Sequence, residues 1–153
     1  IFLAYLWGVS FMDDIHRMYE YHGAEHKTIA CYEAGEELTV ENVRKYTRFH
    51  PRCGTSFMFL IMVISILIFS FLSWDSVVIR MVSRLLLLPV VVGISYELIK
   101  LAGRYDNLFT KIISAPGLAI QRMTVFEPDD SMIEVAIEAM TDVIPENEGE
   151  DNW

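Results

Sequence analysis

Residues 54–74 contain no charged side chain over 21 positions, and that single run limits the fold more than any motif does. Its centre, residues 57–72, reads Phe-Met-Phe-Leu-Ile-Met-Val-Ile-Ser-Ile-Leu-Ile-Phe-Ser-Phe-Leu. Wound as a helix, such a run covers a hydrocarbon core of about 30 Å. Backbone groups in lipid must be satisfied within the segment, so the run is predicted to be a transmembrane helix. Trp74 is expected to anchor its end at the interface. A short link leads to a second apolar stretch, residues 77–101, interrupted by Arg80, Arg84 and Glu97, with Lys100 near its end. Arg80 and Arg84 share a helix face near the start of the stretch, where their heads reach the headgroups. Pro89 and Gly93 are expected to weaken its middle. The two stretches predict a helical hairpin, with a re-entrant second stretch as the alternative.

Composition agrees. Apolar residues make up 53% of the 153 and mean hydropathy is +0.33, too high for an ordinary water-soluble domain of this length. A secreted mini-protein, a disordered chain and a free cytosolic enzyme are excluded. Two cysteines, Cys31 and Cys53, make no disulfide framework, and both are expected to be reduced on a cytoplasmic face. The predicted class is all-α: an integral membrane helical hairpin with a cytoplasmic helical connecting segment and a C-terminal amphipathic helix. Residues 1–12 are apolar, lack an initiator Met and a basic flank, and read as a truncated transmembrane helix rather than a signal peptide.

The net charge of −9 is unevenly spread. Residues 127–153 hold ten acidic side chains and no Lys or Arg, whereas the remaining 126 residues sum to +1. The acidity reads as a solvated tail, with residues 145–153 expected to be disordered. Such a tail repels phosphates, and no nucleic-acid partner is expected. Six of the basic residues fall in residues 13–53 and none at the hairpin tip. By the positive-inside rule, residues 13–53 and the C-terminal region 104–144 are expected to be cytoplasmic, flanking the transmembrane hairpin 54–103 of a multi-pass protein.

Within residues 13–53 the pattern predicts a helix from Asp13 to about Ala34, ended by Gly35, then a short helix from Val40 to about Arg48 with Thr39 as its N-cap. Pro51 turns the chain out. Beyond Arg104, a loop containing Pro116 and Gly117 is expected to lead to a short amphipathic stretch at residues 118–125. A last helix is expected from about Met132 to Val143, entered at Ser131 with Glu134 in capping-box spacing. Its apolar stripe is Ile133, Ile137, Met140 and Ile144, and Glu134, Glu138 and Asp142 lie on the solvated side.

The densest polar chemistry is His22-Gly-Ala-Glu25-His26. His22 and His26 are one turn apart, so both imidazoles project from one helix face, which is the arrangement a helix offers to zinc. Glu25 beside them is the candidate general base, holding the attacking water. The order His-x-x-Glu-His is the inverted form of the zincin motif. The competing reading is a helix near the interface with histidines as polar-aromatic anchors. Glu33 continues the histidine stripe but lies about 10 Å along the axis from His26, too far to share one ion in an unbroken helix. Cys31 falls about 180° from His22, on the opposite face, and reads as a small buried hydrophobe.

A second cluster, His50-Pro-Arg-Cys53-Gly54, places His and Cys three apart around a proline turn, a half-site for zinc. His22, His26, His50 and Cys53 are therefore the candidate metal ligands and Glu25 the candidate catalytic residue. The basic stripe of Arg44, Lys45, Arg48 and Arg52 is expected to contact anionic lipid headgroups of the bilayer. Glu97, an acid in an apolar span, is either functional or paired with Lys100 or Arg80.

The run Tyr21-His-Gly-Ala-Glu-His-Lys27, then Glu41-Asn-Val43, then His50-Pro-Arg-Cys-Gly-Thr-Ser-Phe57 resembles the YqhQ-like family of bacterial membrane proteins. Glu127-Pro-Asp-Asp130 and Glu134-Val-Ala-Ile137 extend the resemblance over nearly the whole chain. The family is a domain of unknown function described in places as a predicted metal-dependent enzyme. The resemblance therefore implies a bacterial plasma-membrane location and strengthens the metal reading without supplying a substrate. It also implies a soluble N-terminal region and further membrane helices that this sequence does not contain.

The leading expectation is a membrane protein with a zinc-like site on the cytoplasmic face, acting as a metal-dependent hydrolase. The alternatives are a non-enzymatic membrane scaffold or assembly factor with a structural metal site, and a transporter or channel subunit using Arg80, Arg84 and Glu97.

Overall fold

The computed structural model describes residues 1–72, 76–105 and 107–145. The expected anchor Trp74, most of the link after it and the tail at 146–153 lie outside these residues. Among the described residues every regular element is an α-helix: α1 (Phe2–Val9), α2 (Asp13–Glu33), α3 (Val40–Arg44), α4 (Gly54–Ser70), α5 (Val77–Arg104), α6 (Leu108–Thr124) and α7 (Asp130–Thr141). They fall into two compact units. Residues 1–50 form the first together with the described residues from 122 onward, and residues 51–121 form the second.

In the first unit α2, α3 and α7 pack on one another. Ala24, Cys31, Val43, Met132 and Ile133 form the core, with Tyr21, Leu38, Val40 and Ile137 packed around it. Cys31 is fully buried, as a small hydrophobe would be. Gly35 ends the α2 segment with φ of +70°, a conformation that costs a side-chain-bearing residue and costs Gly little. Thr39 caps α3 by accepting from the Asn42 N–H. The helix stops at Arg44 rather than continuing to Arg48, because the Lys45 N–H turns back to Asn42 and the Thr47 hydroxyl accepts the Phe49 N–H. Such local side-chain acceptors compete with helix propagation. The cap of α7 is likewise Asp129, whose carboxylate accepts from Met132 N–H at 3.0 Å, two residues earlier than the expected Ser131. Ser131 instead donates to Asp129 at 2.7 Å.

Residues 125–129, between α6 and α7, form an extended strap along α2. The Phe126 N–H donates to the Tyr19 carbonyl at 2.9 Å, and the Phe126 ring stacks on His16 at 4.3 Å. A Cβ at Gly23 would collide with the Phe126 carbonyl oxygen, so Gly23 is what lets strap and helix approach this closely.

In the second unit α4 packs against α5. α5 is 28 residues long, and among the described residues it is the one helix long and apolar enough to cross a membrane. α4 is a shorter apolar helix of 17 residues. Only 6% of the most apolar window of α5 is buried, leaving Val78, Ile79, Met81, Leu85 and Leu86 more than 60% exposed. Arg84 lies 5.5 Å over the Phe69 ring, and Glu97 is exposed. The expected loop at Pro116-Gly117 is a correction: both residues lie inside α6, which runs unbroken from Leu108 to Thr124. Pro removes one intrahelical donor, but close packing of Gly117 on Ser56 and a buried Gln121–Ser56 hydrogen bond of 2.8 Å hold the helix through it.

A histidine cluster as candidate metal centre

α2 supplies His22 and His26 one turn apart, and their ring centroids are 4.4 Å apart. The chain beyond α3 brings His50 back to α2, 5.7 Å from His26 between centroids. All three belong to the first unit. Of the four candidate ligands expected from sequence, His26 thus lies beside both His22 and His50, although His26 and His50 are 24 residues apart in the chain.

Each imidazole holds an oxygen through one ring nitrogen. His22 Nδ1 lies 3.0 Å from the Thr124 carbonyl and His26 Nδ1 lies 2.6 Å from the Arg48 carbonyl. A carbonyl oxygen only accepts, so each Nδ1 carries a proton, and a ring that holds one proton has its lone pair on Nε2. His50 reverses the sense: its Nε2 lies 3.5 Å from Glu33 Oε2, a long hydrogen bond, which puts its lone pair on Nδ1. Metal-ligating histidines commonly engage their second nitrogen in this way, fixing tautomer and ring orientation. His22 and His26 are among the side chains whose donor atoms could hold a metal ion.

The backbone acceptors are fixed by an ionic frame. Lys27, 3% exposed, pairs with Glu127 on the strap and reaches the Arg44 carbonyl at 3.3 Å. Arg48 pairs with the same Glu127 at 3.3 Å. Burial pushes the Glu127 carboxyl up, but hydrogen bonds and charge from Lys27 and then Arg48 outweigh it and hold the group below the usual carboxylate range. Arg44 makes a two-pronged pair with Asp130, which lowers the Asp130 carboxyl chiefly through the hydrogen bond. Two members of the expected lipid-facing stripe, Arg44 and Arg48, thus carry intramolecular acidic partners, and Lys45 donates to Asn42 at 2.9 Å. Arg52 lies in the second unit, its stem against Gly103.

Glu25 is exposed and lines a groove between α2 and α7 with Tyr21, Thr28, Ile29 and Met140, a groove that none of the three histidines lines. Cys53 belongs to the second unit, where it is the buried N-cap residue of α4. Sequence reasoning missed Glu33 as the partner of His50, and Thr124 and the Lys27–Glu127 pair as supports. The helical stripe did place Glu33 on the histidine face, which was the available signal.

A model of the family described as "Protein of unknown function (DUF1385)" matches residues 1–146. The uncharacterized protein YqhQ of Bacillus subtilis (strain 168) is 37% identical over 145 residues, covering 94% of this chain and 46% of that protein. The chain therefore spans about half the length of the curated relative it matches. No solved structure matches.

Proposed function

Because the chain belongs to the DUF1385 family, whose description assigns no activity, we propose a function from its own residues: a membrane protein that holds a divalent, zinc-like ion on His22, His26 and His50. The observation that carries this reading is the set of oriented imidazoles, each tied through one nitrogen to a backbone or carboxylate oxygen. Ligation then uses Nε2 of His22 and His26 and Nδ1 of His50. Cys53 is the proposed fourth ligand: it follows His50 by three residues, which span at most about 10 Å, and its thiol is one of the side chains that could hold a metal ion.

Two chemistries follow. With three histidines as the protein ligands, a bound ion lowers the pKa of a water in the fourth position and polarises an ester or amide carbonyl. Glu25 is then the base that takes the proton, and the protein is a hydrolase acting on a peptide or lipid-headgroup ester near the interface. With Cys53 as fourth ligand the shell is closed, and the protein is a scaffold or assembly factor whose ion ties strap, α2 and the segment after α3 together. The position of Glu25 in the α2–α7 groove favours this second chemistry.

The membrane reading rests on α5, whose apolar surface is left almost wholly exposed, an arrangement suited to lipid and costly in water. We place α4 and α5 as a hairpin in the bacterial plasma membrane, with residues 13–53 and the C-terminal region cytoplasmic. Cobalt titration of the full-length protein tests the ligand set. Intense visible d–d bands are expected from a tetrahedral His-rich site, with an added thiolate charge-transfer band that disappears in Cys53→Ser. Weak octahedral bands unaffected by His26→Ala would end the metal reading.

A further inference from the structure

The second unit contains an apolar cavity of about 220 Å³ among α4, α5 and α6. Its walls include Leu60, Val63, Ile99, Ala102 and Ile113, and Ser56 and Ser114 are the lining residues with polar side chains. An apolar cavity of roughly 150 Å³ already stays dry and takes a benzene-sized hydrocarbon, so this one has room for a length of alkyl chain. The pocket is partly open to the surface, so a chain can enter it from outside.

Two further features point to the occupant. α6 exposes Leu108, Phe109 and Ile112 at 76%, 59% and 63% beside exposed Lys111, the pattern of a helix lying in a membrane interface. Ile112 also lines the cavity, so the exposed apolar face of α6 runs into the cavity wall. The same end of the unit is basic. Arg52 lays its stem on Gly103, next to Arg104 and the cavity-lining Ala102. Lys100 near the end of α5 and Lys111 near the start of α6 add to it, whereas Arg80 and Arg84 lie near the other end of α5.

We infer that this cavity takes an acyl chain of an anionic membrane phospholipid, with the lipid phosphate held near Arg52 and Arg104. The inference rests on the membrane reading of α4 and α5 and is independent of the metal centre. Lipid would then be a bound component wedged among three helices, and α6 would be seated through it.

The test is photolabelling of the full-length protein in nanodiscs of phosphatidylglycerol and phosphatidylcholine, with a phosphatidylglycerol carrying a diazirine in its acyl chain. Peptides covering residues 60–64, 98–102 and 112–114 should be labelled several-fold more than the lipid-facing residues 78–86. Unlabelled phosphatidylglycerol should compete at those sites and phosphatidylcholine should not. Ala102→Trp and Val63→Trp should each remove the cavity labelling while leaving residues 78–86 labelled as before. Should either variant misfold, the competition experiment on the unaltered protein still decides. Equal labelling of cavity and lipid-facing residues overturns the site, and equal competition by phosphatidylcholine overturns the anionic assignment. Failure of the protein to enter nanodiscs, with residues 78–86 unlabelled, overturns the membrane reading itself.

Discussion

His26 Nδ1 stands 2.6 Å from the Arg48 carbonyl oxygen, so the backbone just beyond α3 dictates which nitrogen of this histidine carries its lone pair. The same chain segment continues directly into His50. One turn-rich stretch therefore both orients a proposed ligand and delivers another, and the following expectations depend on that coupling.

Gly23→Ala is expected to lower stability by about 1–3 kcal/mol, the usual cost of forcing an atom into packed space. The added Cβ meets the Phe126 carbonyl, so strap or helix must move. Because Thr124 lies next to that strap and accepts from His22, metal affinity should fall along with the denaturation midpoint. Unchanged stability would show that strap and α2 are not held this closely.

Acid should loosen the strap and α7. Glu127, Asp129 and Asp130 are all held below the usual carboxylate range. A depressed folded pKa contributes stability that is present above the unfolded value of about 4 and lost as pH falls through the folded value. Thermal unfolding should therefore show a falling midpoint below about pH 4, with a shallower fall in Asp130→Asn. Glu127→Gln leaves Lys27 buried without its carboxylate and should cost about 1–3 kcal/mol at neutral pH, allowing for the half-exposed partner. A midpoint independent of pH down to 3 would contradict the ionic frame.

The elements legible from sequence were those set by local chemistry. α2, its Gly35 terminus and the Thr39 cap follow from periodicity and neighbouring residues, and the buried state of Cys31 follows from its place on the helix wheel. Contacts between distant segments were not legible. Lys27 and Glu127 are 100 positions apart, and nothing local in either says they pair. Pro116 read as a helix breaker because the packing of Gly117 and Gln121 on Ser56 that holds α6 together comes from α4. The two histidines of α2 were visible as a pair, whereas the turn that returns His50 to them depends on Thr47 and on the early end of α3.

Glu25→Gln separates the two chemistries of the proposed centre. A hydrolase should keep its metal and lose its function in cells, since the base alone is removed. A scaffold should keep both, as the exposed position of Glu25 in the α2–α7 groove favours. Full complementation by the variant ends the hydrolase reading.

The cysteines offer an internal control. Burial, then the charge of Glu36, pushes the Cys31 thiol up, so it should be slow to alkylate and indifferent to chelator. Cys53 should become reactive when chelator is added, and Cys53→Ser should weaken metal retention more than Cys31→Ser. Equal retention in the two variants removes Cys53 from the site and leaves the histidines as its protein ligands.

Topology is read by a single introduced cysteine at Ser76 in a background with both native cysteines replaced. An impermeant maleimide should label it from outside intact cells, while a cysteine at Glu36 should be labelled only after lysis. The reverse pattern would move the histidine cluster to the outer face.

The most direct test of the account is the metal content of the full-length protein, purified in detergent without added metal and measured by elemental mass spectrometry. The account predicts about one divalent ion per chain in the unaltered protein and a loss of at least about tenfold in His22→Ala, His26→Ala and His50→Ala. Far less than one ion in the unaltered protein, or a content in the variants equal to that of the unaltered protein, would contradict it.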